Sequence, residues 1–351
     1  MTRWKILLYM GWGGDAGFEA IQDKVLAQIA EVELEHVDVV YQFAREALVE
    51  RGVIHRARRD VLATSPPITI TDPHHLTRFL DWAGEMFPTR QTALFVKDHG
   101  QGPVDAHRMP VLTGAGILMD AKTKRYMPLP SFRRDIACSR AGRVDILGLD
   151  ACRLGSVEAA YELREVTTVL MASEMTELTT GWAYPEIVKY LDGEHEVATP
   201  RDLALEVITS STKFKLVAVE VAWLDKVARA IDALGLELGA SAKKATLLEW
   251  VRTKFSNGYG EGIEVDKLVD ELTGREDLCR AATLAAITSA LASARVVTDP
   301  PPASPPGIGL FFPTTKGSAS IAGYGAGAFA SDTRWAEFVG TLNHWLMTTP
   351  P

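Results

Sequence analysis

Short apolar runs alternate with amphipathic stretches through the first half of the chain. Residues 4–10 and 37–43 have the length and apolar content of buried strands, and residues 18–30 between them carry apolar side chains at helical spacing. Residues 92–96 and 144–149 are continuous apolar runs, which are typical of parallel strands covered on both faces. This order predicts an α/β protein, a three-layer α/β/α sandwich around a mostly parallel central sheet.

One predicted helix after the second strand has clear end signals. We expect Asp72 to cap it, Pro73 to occupy its first turn and Pro88 to end it. Leu76 and Phe79 begin an apolar stripe at helical spacing, so this helix is expected to pack on the sheet.

Helical patterns dominate the second half of the chain. Further strands are expected at residues 169–172 and 216–221, but residues 225–298 have mostly helical periodicity. A late strand is expected at residues 308–312, after a proline-rich connection. We therefore predict one domain over residues 1–351, with a helical elaboration at 225–298.

The composition is that of a folded globular protein. With 351 residues, 47% of them hydrophobic, the chain is long enough to bury a large core without disulfides or metals. The 37 basic and 45 acidic residues give a formal net charge of −8, which argues against nucleic acid as a partner. The longest early apolar run, residues 6–10, is too short for a membrane span or a signal peptide, so no membrane contact and a cytoplasmic location are expected.

The three cysteines, Cys138, Cys152 and Cys279, cannot all pair and show no metal-ligand spacing. A disulfide scaffold is therefore not expected, and a reducing compartment is the default. Cys279 lies in an apolar helical stretch and fits a small core residue, whereas Cys138 is expected in a loop. Cys152 remains as a candidate nucleophile. The pair His74-His75 lacks partnering ligands, so no metal site is predicted.

The turn after the first strand reads Gly11-Trp-Gly-Gly-Asp-Ala16 and matches a dinucleotide-binding fingerprint between a strand and a helix. The acidic residue expected at the end of the second strand is missing, and Arg45 stands there. Trp12 would also crowd the approach of a pyrophosphate. An ordinary glycine turn is therefore favoured, and a dinucleotide-dependent enzyme stays open as an alternative.

A histidine and a cysteine follow two of the predicted parallel strands. His99 comes directly after one apolar run and is followed by Gly100, and Cys152 comes after the next run, within residues 150–155. Because the carboxyl ends of parallel strands meet at one edge of a sheet, we expect the two side chains to meet there. Residues 156–163 read as a helix whose N-terminus favours a thiolate nearby.

These residue types suit nucleophilic catalysis. The separation of 53 residues (152 − 99) and the two local contexts are typical of the caspase arrangement. A Cys152 thiolate attacks a carbonyl carbon, and the His99 imidazole gives a proton to the leaving amine. The backbone N–H groups of Gly100 and Cys152 are the expected oxyanion hole, and Asp98 is a candidate for orienting the imidazole.

With these motifs, the sequence resembles the clostripain-like cysteine peptidases, a family of the caspase/haemoglobinase-like clan. The stretch from Leu149 to Leu163, which contains Asp-Ala-Cys-Arg-Leu-Gly-Ser-Val-Glu, is its most specific match. The resemblance implies a caspase-like fold, catalytic His99 and Cys152, and cleavage of protein substrates through a thioester acyl-enzyme. Other similar segments are residues 72–82, 93–100, 172–174, 181–184 and 307–313.

The resemblance also implies a preference for arginine or lysine at P1, the residue before the scissile bond. Asp150 matches an acidic residue that lines the family's P1 pocket, and Ser173 and Thr180 are expected to contribute to substrate binding. A second acid is often found just before the Gly-Trp pair, where this chain has Thr179-Thr180, and Glu177 is a nearby acid. One carboxylate can still pair with a guanidinium, but Asp150 serving only to cap or buttress the loop is an equal alternative.

The resemblance further implies synthesis as a zymogen that is activated by cleavage between the histidine and the cysteine. The basic loop predicted at residues 120–143 lies in that interval, and Lys122, Lys124 and Arg125 are candidate cleavage sites for the enzyme itself or for an upstream activating protease. A basic run of this kind is in general only a solvated loop.

No cofactor is expected, because some relatives bind calcium but no D-x-D-x-D-G loop is present in this sequence. The expected partners are protein or peptide substrates. The main rival prediction is a catalytically silent caspase-like scaffold that binds a partner protein. The family resemblance also suggests a role in regulated proteolysis, for example in bacterial defence.

Overall fold

The computed structural model describes eight stretches of the chain. Within them, eight strands form one mixed central sheet, and helices pack on both of its faces. The three-layer α/β/α fold predicted from the sequence is therefore confirmed. The described residues are 4–11, 16–102, 115–120, 122–193, 198–255, 262–298, 306–313 and 324–349.

Strands and helices are numbered here in chain order. The strands are β1 (Trp4–Gly11), β2 (Asp38–Ala44), β3 (Val49–His55), β4 (Arg58–Ser65), β5 (Gln91–Lys97), β6 (Gly100–Gln101), β7 (Gly116–Met119), β8 (Tyr126–Pro128), β9 (Val144–Asp150), β10 (Thr167–Ser173), β11 (Leu216–Glu220), β12 (Gly262–Glu264) and β13 (Gly309–Phe311). The helices are α1 (Ala16–Ala30), α2 (His75–Met86), α3 (Leu129–Ala137), α4 (Val157–Leu163), α5 (Tyr184–Asp192), α6 (Pro200–Ser210), α7 (Leu224–Leu238), α8 (Lys244–Lys254), α9 (Val265–Leu272), α10 (Ala281–Ala294), α11 (Ala328–Asp332) and α12 (Trp335–Thr348).

Five parallel strands form the middle of the central sheet, in the order β10-β9-β5-β1-β2. β11 extends the sheet antiparallel beside β10, and the hairpin β3–β4 extends it beside β2. After β1, the chain first forms β2 on one side of β1 and later forms β5 on the other side of β1. The carboxyl edge near β1 and β5 is therefore a topological switch point, where open α/β sheets bind their ligands.

Both faces of the parallel strands are buried, as the continuous apolar runs predict. In β1, Leu7 and Tyr9 belong to one hydrophobic cluster, and Ile6 and Leu8 belong to the other. Helices α1, α5 and α6 cover the face of the second cluster, and α2, α3, α4 and the later helices cover the first. Alternate residues of each strand thus fill two cores.

The hairpin β3–β4 is not predicted from the sequence. β4 is exposed along most of its length, and its Val61 and Leu62 are about half exposed, so it lacks the apolar run of a buried strand. Arg56 and Ala57 form the turn with φ angles of 49° and 52°. The basic residues Arg56, Arg58 and Arg59 therefore lie in the turn and at the start of an edge strand.

Helix α2 begins at His75, later than the sequence signals predict. His74 precedes the helix with a φ of 71°, and its backbone N–H donates to the Asp135 carboxylate at 2.9 Å. This bond across to α3 holds the start of the helix, so the prediction that Asp72 is the cap is wrong.

A buried glutamate connects α4 to the late strand. Glu158 accepts hydrogen bonds from the Phe311 N–H at 2.8 Å and from the Tyr324 hydroxyl at 2.9 Å. Burial raises the pKa of Glu158, because the charged carboxylate is less stable away from water. The Tyr324 and Phe311 donors therefore contact a carboxyl group whose ionisation is unfavourable. Glu158, the last residue of the motif that contains Cys152, is thus hydrogen-bonded to β13.

Candidate active site

Strand register brings the candidate histidine and cysteine to the same edge of the sheet. β5 and β9 are adjacent and parallel, and Lys97 is the register partner of Asp150. His99 and Cys152 each lie two residues beyond these partners. Both residues therefore follow the carboxyl ends of two adjacent strands, at the same edge of the sheet, as the sequence predicts.

Gly100 packs closely against the Cys152 backbone. A Cβ at Gly100 would lie 2.6 Å from the Cys152 carbonyl oxygen and 3.0 Å from the Cys152 backbone nitrogen. Real Cβ atoms do not approach backbone this closely, so only glycine fits without a shift. The two residues predicted to form an oxyanion hole are thus neighbours in space.

A tight turn carries Cys152 from β9 into α4. Arg153 has a φ of 59°, and a Cβ at Gly155 would lie 2.6 Å from the Glu174 backbone nitrogen. Ser156 caps α4 by accepting a hydrogen bond from its first turn, and the helix begins at Val157. Cys152 therefore precedes the helix by more than one turn, and α4 begins one residue after the predicted start.

The loop after β10 lies against the candidate nucleophile. The Glu177 backbone N–H donates to the sulfur of Cys152 at 3.3 Å, and the Glu177 carbonyl oxygen lies 3.9 Å from the same sulfur. The Arg153 N–H also donates to the Met175 carbonyl oxygen at 3.0 Å. Cys152 is half-buried beneath this segment, whereas Cys138 is exposed and Cys279 is buried.

An aromatic side chain supports His99. The ring of Phe18, from α1, stacks on the imidazole with centroids 5.0 Å apart and planes 21° from parallel. His99 also accepts a backbone hydrogen bond from Leu118 at 3.1 Å. Phe18 in α1 therefore contacts the face of the imidazole, and Leu118 in β7 holds the backbone of His99.

Asp98 contacts the backbone of this loop. Its carboxylate accepts hydrogen bonds from the backbone N–H groups of His99 and Met119, and burial raises its pKa to about 7. A Cβ at Gly11 would overlap Oδ2 of Asp98 at 1.8 Å. Gly11 therefore leaves room for Asp98. This packing explains why the first residue of the candidate dinucleotide turn is a glycine. The rest of that motif includes residues 12–15, which lie outside the described residues.

The predicted P1 carboxylate, Asp150, belongs to a buried ion pair. Its Oδ2 lies 3.2 Å from Nζ of Lys97, and only 3% of the Lys97 side chain and 1% of the Asp150 side chain are exposed. The same oxygen accepts hydrogen bonds from the Tyr184 hydroxyl at 2.9 Å and from the Trp182 N–H at 3.4 Å. A pair this well buried needs such additional bonds to offset the loss of water.

Glu177 completes a cluster with this ion pair. Its carboxyl group accepts from the Trp182 indole N–H at 3.2 Å and hydrogen-bonds to Asp150. Burial and the Asp150 charge raise the pKa of Glu177. Lys97, Asp150 and Glu177 are called the Lys97 cluster below.

The other two predicted substrate residues lie on either side of the loop after β10. Ser173 is buried, and its hydroxyl accepts a hydrogen bond from the Met175 N–H at 3.1 Å, so it holds the start of the loop. Thr180 is exposed next to Gly181. Their part in substrate binding stays a prediction.

The predicted basic loop is only partly a loop. Residues 122–125 form an exposed turn between β7 and β8, and the Asp120 carboxylate accepts from the Thr123 N–H. β8 and α3 then occupy residues 126–137, because an apolar stripe with Phe132 and Ile136 buries one face of that stretch. The candidates Lys122, Lys124 and Arg125 all lie in the exposed turn.

Among the described residues, no three His, Cys, Asp or Glu side chains come together as metal ligands. No helix in the same part of the chain is long and apolar enough to cross a bilayer.

Sequence reasoning misses Lys97 and Phe18 as members of the site. Lys97 lies two residues before His99, and Asp150 lies two residues before Cys152. Counting back from the candidate dyad would therefore have paired Lys97 with Asp150. No sequence signal connects Phe18 with His99, because their contact depends on how α1 packs on the sheet.

Comparisons with known proteins bear on the family and the fold of this chain. The model of the clostripain family matches residues 44–266. A secreted C11 cysteine protease from Bacteroides thetaiotaomicron, solved in complex with an irreversible peptide inhibitor, shares the fold with a TM-score of 0.69 and 14% identity, covering 98% of this chain and 100% of that chain. An inactive zymogen C11 protease from Parabacteroides distasonis has a TM-score of 0.68 and 14% identity, covering 97% of this chain and 99% of that chain. No curated protein matches the chain.

Proposed function

Because the chain belongs to the clostripain family of cysteine peptidases, we propose that Cys152 and His99 are its catalytic dyad. The observation that carries this proposal is the register of β5 and β9, which sets both residues at the switch-point edge of the sheet. Contact between Gly100 and the Cys152 backbone supports it further, since an oxyanion hole needs donors from both loops.

The proposed reaction is hydrolysis of a peptide bond in two steps. The Cys152 thiolate forms a bond to the carbonyl carbon, whose electron pair moves to oxygen and faces the N–H groups of Gly100 and Cys152. The His99 imidazolium gives its proton to the amine nitrogen as the C–N bond breaks, which leaves a thioester. Water then attacks, His99 takes its proton, and the C–S bond breaks to release the acid and restore the thiolate.

The proposed substrates are proteins or peptides with arginine or lysine at P1. Support comes from the two carboxyl groups of Asp150 and Glu177, because Glu177 lies in the loop that contacts the Cys152 sulfur and its carboxyl group hydrogen-bonds to Asp150. The proposed chemistry uses no metal or organic cofactor. A cytoplasmic location also remains a prediction, and one of the similar solved proteins is described as secreted.

We further propose that the chain is made as a zymogen and is activated by cleavage at Lys122, Lys124 or Arg125. The exposed turn that contains these residues supports access by a protease. Activation in this account involves a change at the loop after β10, because the Glu177 backbone in that loop contacts the Cys152 sulfur.

Hydrolysis assays with dyad variants test the proposed function. After limited proteolysis, the wild type is expected to cleave peptides with P1 arginine, and Cys152→Ala and His99→Ala are expected to lose this activity. Cys138→Ala is the matched control, because it removes an exposed thiol elsewhere. Full turnover by Cys152→Ala would overturn the proposal, and stable capture of peptides without cleavage by the wild type would favour the silent scaffold.

A further inference from the structure

Lys97 is a buried lysine with no step in the proposed chemistry. Its ammonium group pairs with Asp150 at 3.2 Å, and both side chains are almost completely removed from solvent. Asp150 is also the acid that the family resemblance assigns to the P1 pocket. One of the two carboxyl groups beside the site is therefore already paired with a cation from within the chain.

The loop backbone at Gly181 lies directly over this ion pair. A Cβ at Gly181 would lie 2.6 Å from Nζ of Lys97 and 2.7 Å from Oδ2 of Asp150, and the residue has a φ of +74°. The Tyr184 hydroxyl and the Trp182 N–H donate to the same carboxylate oxygen. A substrate side chain would have to displace this backbone to reach Asp150.

Glu177 connects the Lys97 cluster with the thiol. Its backbone contacts the sulfur of Cys152, and its carboxyl group lies between the Trp182 indole and Asp150. Burial and the Asp150 charge raise the pKa of Glu177, so this carboxyl group favours its neutral form. The charges of Lys97 and Asp150 then balance, and the cluster is electrically neutral.

We propose that Lys97 and Glu177 set the P1 specificity of this peptidase, an inference that rests on the proposed function. Lys97 neutralises Asp150 and so weakens the attraction of the pocket for cations. Glu177 is the carboxyl group that pairs with a P1 arginine or lysine, releasing its proton to solvent as the cation binds. The preference for basic P1 residues is then weaker than in a pocket with two free carboxylates.

Two matched peptides that differ only at P1, arginine or norleucine, provide the test. The measured quantity is the ratio of kcat/KM for the two peptides, with the proteolysed wild type, Lys97→Met and Glu177→Gln. Lys97→Met frees Asp150 and is expected to raise the arginine preference about tenfold, whereas Glu177→Gln lowers it about tenfold. Lys5→Met is the control, because Lys5 is a buried lysine in β1 that donates to the Phe87 carbonyl oxygen at 3.0 Å, away from the site.

Far-UV circular dichroism and thermal melting establish that each variant is folded. If Lys97→Met does not fold, the fall in arginine preference of Glu177→Gln decides the question alone. Turnover of both peptides with unchanged ratios in the folded variants would overturn this inference and leave the proposed function intact. Absence of turnover by the wild type, together with no reaction of Cys152 with a peptidyl electrophile, would overturn both.

Discussion

Gly100 and Cys152 are in backbone contact across the carboxyl ends of β5 and β9. The space between them is too small for a Cβ, since one built on Gly100 would lie 2.6 Å from the Cys152 carbonyl oxygen. Replacement of this glycine therefore has to move one loop relative to the other. Because the same two residues carry the expected oxyanion donors, their separation is directly relevant to catalysis.

Gly100→Ala is expected to lower kcat about a hundredfold, the usual effect of losing one oxyanion donor. Steady-state hydrolysis of a P1-arginine peptide provides the measurement. Gly84→Ala is the matched control, because a Cβ at Gly84 in α2 meets nothing within 4 Å. Wild-type kcat in Gly100→Ala would show that the approach of the two loops does not matter for the reaction.

Phe18 is expected to position the His99 imidazole by stacking on it. Phe18→Leu keeps an apolar side chain but removes the stacked ring, so kcat is expected to fall about tenfold with little change in KM. Phe18→Tyr keeps the ring and is expected to retain activity. Equal losses in both variants, at equal melting temperature, would contradict a role of the ring itself.

Asp98 makes the stability of the fold depend on pH. Burial raises its pKa from 3.8 to about 7, so between these values the folded state binds more protons than the unfolded state. The contribution of Asp98 is fully present below about pH 4 and falls as the pH rises to about 7, by up to about 1.4 kcal/mol per pH unit. Asp98→Asn is expected to remove this slope.

Urea unfolding of the wild type and Asp98→Asn at pH 5, 6 and 7 measures the difference in the free energy of unfolding. Other titrating groups cancel when the two proteins are compared at each pH. The variant is expected to gain stability relative to the wild type as the pH rises. A constant difference across this range would mean that Asp98 is ionised at pH 5 in the folded protein.

Replacement of Lys122, Lys124 and Arg125 by glutamine tests the activation turn. Trypsin is expected to cut the wild type in this exposed turn and to raise its activity, and the triple variant is expected to resist both effects. Arg140→Gln changes another exposed basic residue between the dyad members and serves as control. Mass spectrometry of the fragments locates the cut, and spontaneous cleavage of wild type but not of Cys152→Ala identifies self-processing. Full activity of an uncut wild-type chain would contradict activation by cleavage.

The sequence predicts the sheet and the placement of His99 and Cys152 at one edge of it because both depend on local signals. Apolar runs identify the parallel strands, and residues after such strands converge at one edge whatever the helices do. The hairpin β3–β4 lacks this signal, since its outer strand is exposed and polar on most of its length. Edge strands are held by backbone pairing more than by an apolar pattern.

The surroundings of the dyad depend on contacts between distant segments. The pairing of Lys97 with Asp150 requires the register of β5 and β9, which packing determines. The approach of Glu177 to the Cys152 sulfur depends on the path of the loop after β10. The Glu177 contact does not follow from residue spacing, whereas the Lys97–Asp150 pair follows from it only once β5 and β9 are known to be adjacent. Both contacts change the expected environment of the P1 side chain.

Covalent labelling of Cys152 tests the central claim most directly. A peptidyl acyloxymethyl ketone with lysine at P1 is incubated with the protein before and after limited proteolysis, and peptide mass spectrometry locates the adduct. A peptidase with this dyad is labelled at Cys152 after proteolysis, and the label is lost in His99→Ala. Absence of label from Cys152 in both forms, or equal labelling of Cys152 and the exposed Cys138, would contradict a catalytic thiol at this position.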